Sequence, residues 1–136
     1  ASGYLKVVSF ESYEEIEKYI AGVKASVRAG RYRIDVSRKR QANLDLYKDY
    51  VIGETGSKDI LMNLTADDFC EAVKNKHMGF EQEILYIFGK DVKLWQRFGT
   101  EEEKVSLYIK FNRLDSRFVI VVSFHKQIRP VTYAFK

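Results

Sequence analysis

Three side chains able to donate, accept or steer protons lie close together near the end of the chain: Tyr108, Lys110 and His125. A phenol donates a hydrogen bond, an ammonium offsets negative charge, and an imidazole with an ordinary pKa of about 6.5 exchanges protons at neutral pH. Together they make acid–base equipment with a positive bias, provided they face the same way. They belong to the runs Val105-Ser-Leu-Tyr-Ile-Lys-Phe-Asn112 and Arg117-Phe-Val-Ile-Val-Val-Ser-Phe-His125. Both runs alternate with period two, the mark of paired strands with one buried face. Val105, Leu107, Ile109 and Phe111 form one apolar set; Phe118, Ile120, Val122 and Phe124 form the other. A tight turn at Leu114-Asp-Ser-Arg117 lets both sets share a core and places Leu107 opposite Phe124. The other face then carries Tyr108 across from Ser123, with Lys110 and His125 nearby. Each residue alone also fits an ordinary strand surface. Their shared face is what points to chemistry.

Other elements must hold this hairpin. Ser12 opens a helix, with Glu15 completing a capping box, and Phe10, Tyr13, Ile16, Tyr19, Ile20, Val23 and Val27 form its apolar stripe. Gly30 suits the position just past the helix end. A second helix follows Ser37 and runs through Gln41, Ala42 and Leu46 toward Tyr47, and Gly53–Ser57 reads as a loop. Asp59–Leu64 reads as a short strand, and Thr65 with Asp68 caps a short helix holding Phe69, Ala72 and Val73. Ile84–Phe88 and Val92–Phe98 read as strands around a hairpin turn at Gly89–Asp91, and a last strand follows Pro130. Helices first and antiparallel strands afterwards predict an α+β fold, with N-terminal helices packed on one face of a mainly antiparallel sheet.

The 136 residues suit one domain, and an apolar fraction of 46% with eight glycines and one proline argues against linkers or low complexity. A net charge of +4 nudges expectation toward a polyanionic partner. Its distribution says more. Lys24, Arg28, Arg31, Arg33, Arg38, Lys39 and Arg40 are opposed only by Asp35 between residues 24 and 40. A charge run is usually a solvated face. Tyr32 between Arg31 and Arg33 is nevertheless the stacking-plus-charge arrangement of single-stranded RNA binders. The one cysteine, Cys70, excludes an intrachain disulfide and suits a reducing cytosol. The start lacks a signal-peptide h-region, and no window is long and apolar enough to span a membrane.

Several site types fall away. Cys70 and His77, read on one helix, stand roughly 10 Å apart along its axis and cannot share a metal ion. Gly53-Glu-Thr-Gly-Ser-Lys58 has the wrong spacing and setting for a phosphate-binding loop. There is no Gly-x-Ser-x-Gly elbow, and the carboxylates Asp67-Asp68 and Glu101-Glu-Glu103 suit a helix start and a turn. No metal or cofactor is expected.

Tyr108-Ile-Lys110 followed by Val121-Val-Ser-Phe-His125 resembles the closing hairpin of MqsR-type toxins, RelE-like mRNA interferases of bacterial toxin–antitoxin systems. Val23-Lys-Ala-Ser-Val-Arg-Ala-Gly30, with Arg31 and Arg33 after it, is similar to that family's first helix and its exit. Ile60-Leu-Met-Asn-Leu-Thr-Ala-Asp-Asp-Phe69 resembles its next strand and capped turn, and Trp95-Gln96 a Trp-Gln pair in its sheet. The resemblance implies a single RelE/MqsR-like domain over residues 1–136 and a cytoplasmic toxin restrained by a protein antitoxin. It implies a hydrolase acting as an mRNA endoribonuclease without a metal, through attack of the ribose 2′-hydroxyl on the adjacent phosphate. His125, Tyr108, Lys110 and Gln96 become the implied catalytic residues, with Arg31, Arg33, Arg38, Lys39, Arg40 and Lys74 on the RNA. The chain departs from the pattern at three places, one of them a lengthened loop, Asn75-Lys-His-Met-Gly-Phe-Glu-Gln82, that bears on substrate access. His125 stands where the prototype has lysine. Cys70-Glu71 replace a basic residue after the Asp-Phe pair, so either Lys74 substitutes, or Arg38 and Arg40 provide the charge, or cleavage is weakened. The different class left open is a non-catalytic RNA-binding or protein-interaction module on the same fold.

Overall fold

The computed structural model describes residues 12–115 and 117–136. The capping box forms as its residues dictate: the Ser12 N–H donates to Glu15 Oε1 at 3.0 Å, and the Glu15 N–H to Ser12 Oγ at 3.2 Å. It launches helix α1, Tyr13–Arg28, whose stripe Ile16, Ile20, Val23 and Val27 is buried. Phe10, expected to extend that stripe, lies outside the described residues. Gly30 follows at φ +78, a left-handed turn that releases the chain into strand β1, Tyr32–Ile34.

Helix α2 spans Gln41–Asp49, and strand β2 is only Tyr50–Val51. The expected loop at 53–57 and strand at 59–64 are instead one helix, α3, Gly53–Met62. Its polar residues are accommodated locally: Ser57 Oγ donates to the Gly53 carbonyl at 2.7 Å and bonds Tyr47 Oη at 2.7 Å. The short apolar run Ile60-Leu-Met62 fits either period, and burial of Ser57 and Leu61, four residues apart, follows the helical one.

At Thr65 the expected reciprocal cap exists, with the Thr65 N–H donating to Asp68 Oδ2 at 2.9 Å. It closes only one 3-10 turn, Ala66–Asp68, after which the chain enters strand β3, Phe69–Lys74, not the predicted helix. Phe69 and Ala72 point into the core while Val73 joins the other sheet face, a division that a paired strand with an early irregularity provides. Strand β4, Ile84–Gln96, runs straight through the predicted hairpin turn at Gly89–Asp91. Strands β5, Glu102–Leu114, and β6, Phe118–Lys126, complete a curled mixed sheet in the order β1-β6-β5-β4-β2, with β3 also paired to β4. Only β1 and β6 are parallel among these pairs.

No strand follows Pro130. The segment after β6 crosses the sheet beside Gly89, where a Cβ would come within 2.7 Å of Tyr133 Oη and 2.9 Å of Val131 Cγ2. It ends along β3, where the Ala134 N–H donates to the Phe69 carbonyl at 3.0 Å. Glycine is thus used in β4 for a close approach, not for a turn.

One core cluster joins Ile16, Ile20, Val23 and Val27 of α1, Leu46 of α2 and Leu61 of α3 to Phe88, Leu107, Ile109, Phe111, Val119, Val121 and Phe124 of the sheet. Burying each such large side chain contributes about 1.5–3 kcal/mol relative to exposure. The opposite sheet face carries a smaller cluster, Val73, Leu85 and Ile87, with Cys70 and Tyr108 packed against it.

Candidate active site

The β5–β6 register differs from the alternation-based one by one residue next to the turn and by two at Tyr108. Leu114 pairs with Phe118, Arg113 with Val119, Asn112 with Ile120 and Phe111 with Val121; the register then shifts, so that Lys110 pairs with Ser123, Ile109 with Phe124 and Tyr108 with His125. Val122 is left without a partner, a β-bulge. The buried apolar residues of β6 are consequently Val119, Val121 and Phe124, with Ser123 buried on the other face; Phe118, Ile120 and Val122, expected in the core, are only half-buried.

Cross-strand partners share a face, so Tyr108, Lys110, Ser123 and His125 stand together on the side opposite the main core. The Tyr108 and His125 rings stack with centroids 5.2 Å apart and planes 16° from parallel. Against the cluster of Val73, Leu85 and Ile87, burial pushes the Tyr108 phenol up to about 12, helped by the negative charge of Glu71 and by Cys70. The phenol is therefore a neutral donor at physiological pH. His125 Nδ1 lies 2.7 Å from the carbonyl oxygen of Lys126. A carbonyl can only accept, so this contact places the proton on Nδ1 and leaves the Nε2 lone pair for a base.

Lys110 is shielded, and its ammonium is disfavoured by burial first, then by the positive charges of Arg40 and Lys76. A cluster of cations around one point, raised beside a neutral phenol and an imidazole, suits an anion that spreads charge over several oxygens. Arg40 is anchored by its Nε to Asp35 Oδ2 at 3.4 Å. Arg33 shares this face, because it pairs with Ile120 in β6. Arg38 and Lys39 are exposed in the turn before α2. Arg31 is spent partly on structure, its Nε donating to the Arg117 carbonyl at 2.9 Å. Tyr32 packs against the main core instead of standing free for stacking.

The other sequence candidates lie elsewhere. Gln96 pairs with Tyr50 at the far end of β4, on the core side of the sheet, and its Nε2 donates to Glu103 Oε1 at 3.1 Å. It lines an open recess with Asp49, Tyr50, Phe98, Gly99 and Glu103, apart from the Tyr108–His125 pair. Lys74 pairs with Ile84, whose side chain packs on the main core, so strand alternation directs it away from Tyr108. Of the cations weighed from sequence, Arg40 is the one whose charge acts on Lys110, together with Lys76, which the sequence candidates did not include. Only its place in the long 75–83 connection could have drawn attention to it. Cys70 lies in β3 and His77 in an exposed connection, so the helical spacing used to separate them does not apply. Among the described residues no group of three His, Cys, Asp or Glu is placed to hold a metal ion, and no helix is long and apolar enough to cross a membrane.

The chain matches no family model, no curated protein and no solved structure.

Proposed function

We propose that this protein is a metal-independent mRNA endoribonuclease of the RelE-like, MqsR-type class, its helices gathered on one side of the sheet, restrained in a bacterial cytoplasm by a protein antitoxin. The observation that carries the reading is the stacked Tyr108–His125 pair with Lys110 beside it and the charges of Arg40 and Lys76 around it. Nε2 of His125 removes the proton from a ribose 2′-hydroxyl, whose oxygen attacks the neighbouring phosphorus. Tyr108 donates a hydrogen bond to a phosphoryl oxygen without losing its proton. Arg40 offsets the charge that grows on the pentacoordinate phosphorus. Lys110, whose ammonium is disfavoured by burial, gives its proton to the departing 5′-oxygen. The bond formed is 2′-O–P and the bond broken is P–5′-O, leaving a 2′,3′-cyclic phosphate and a 5′-hydroxyl. Acid–base groups held in place contribute about 10²–10⁴-fold each.

The test is incubation of the purified protein with a defined single-stranded mRNA in EDTA, followed by analysis of the ends. Cyclic or 3′-phosphate ends with 5′-hydroxyls support the reading. Ends bearing 5′-phosphate, or cleavage that stops in chelator, overturn the mechanism. Salt-sensitive binding without cleavage identifies a binding module on the same cations.

A further inference from the structure

The bulge at Val122 determines which way His125 faces. If the Phe111–Val121 register ran on unbroken, Tyr108 would meet Phe124 and Leu107 would meet His125. The imidazole would then turn to the core side with Leu107, and Phe124 would face solvent beside Tyr108. One extra residue therefore brings the imidazole to the phenol.

A bulge interrupts ladder hydrogen bonds, and the freed backbone groups need partners when buried. Here a single side chain supplies them. Asn43 of α2, 1% exposed, sends Nδ2 to the Val122 carbonyl at 3.1 Å and to the Asp35 carbonyl at 2.8 Å. Its Oδ1 accepts from the Phe124 N–H at 2.8 Å. The side chain thus grips the bulged residue and the residue just before His125. It also ties β6 to the end of β1, where the Asp35 carboxylate holds Arg40. Both donors and the acceptor are in use. No aspartate, serine or leucine could make this set of bonds at that spot.

We propose that Asn43 is a positioning residue for the site: by locking the Val122 bulge it seats His125 against Tyr108 and aligns Arg40 with Lys110. The consequence for cleavage rests on the nuclease reading; the consequence for ring geometry does not. Asn43→Asp keeps the shape and the acceptor, yet sets a carboxylate oxygen against two carbonyl oxygens.

The experiment compares Asn43→Asp with the unaltered protein by NMR and by RNA cleavage. Expected is loss of the Tyr108–His125 ring NOE while the Phe88–Phe111 ring contacts of the core persist. The rate constant kcat then falls about 100-fold, as for a catalytic group displaced by about 1 Å, with KM within about twofold. A retained Tyr108–His125 NOE in Asn43→Asp overturns the inference. Should the core contacts vanish too, the same comparison is read on Asn43→Ser, which keeps one donor and one acceptor on a smaller side chain, with the same deciding outcomes. If the unaltered protein cuts no RNA, the nuclease reading fails, and the ring NOE alone still decides the role of Asn43.

Discussion

Lys110 shows most clearly what the site costs. Its ammonium is held partly out of water beside two other positive charges, an arrangement that a packed strand would avoid. Replacing it with methionine keeps the length and removes the charge, so Lys110→Met is expected to unfold at higher temperature while cleaving at least about tenfold more slowly. The pH dependence has a definite sign. A folded-state pKa below the unfolded one means that neutral Lys110 favours folding above the ordinary value of 10.5, a benefit lost as pH falls through the lowered pKa. The stability gap between variant and parent should therefore narrow as pH rises toward and beyond 10.5, as melting curves across that range will show. Equal stability of the two proteins at neutral pH would mean that Lys110 is not strained at all.

Among the elements, β4 and β6 show both what the sequence reveals and where it stops. The capping box at Ser12, the stripe of α1 and the alternation of β5 were legible because each is a local pattern with a local cause. Gly89 reads as a turn in sequence, yet it lies inside a 13-residue strand because Tyr133 and Val131 cross there, and that contact is long-range. The α3 helix was hidden by residues typical of loops, whose hydrogen bonds run to Gly53 and Tyr47. The shared face of Tyr108, Lys110 and His125 was reached from alternation, although with the partner of Tyr108 misassigned. The bulge that makes the face real depends on Asn43, distant in sequence, and no period in β6 announces it. Gly89→Val should push the crossing segment off the sheet and destabilise the fold by about 1–3 kcal/mol. Amide exchange at Ala134 reports this directly, since its N–H bonds Phe69 in the parent. An unchanged Ala134 protection factor would show that Gly89 is not the seat of that segment.

Taken whole, the molecule pairs a tightly packed core with a sheet face where cations gather. Arg33 lies on that face, Arg40 and Lys76 flank Lys110, and exposed Arg38 and Lys39 extend the positive charge. For single-stranded nucleic acid, each phosphate neutralised adds about 0.7 to the slope of log affinity against log salt. The double variant Arg38→Ala, Lys39→Ala should reduce that slope by about 1.4 without altering the core. A slope identical to the parent's would remove both residues from the RNA path. The account stands or falls on the imidazole. The decisive measurement is single-turnover cleavage of a defined RNA by His125→Gln beside the unaltered protein, with thermal unfolding recorded for both. The account predicts equal unfolding midpoints and a cleavage rate lower by about 10²–10⁴-fold. A variant that cuts as fast as its parent would contradict it.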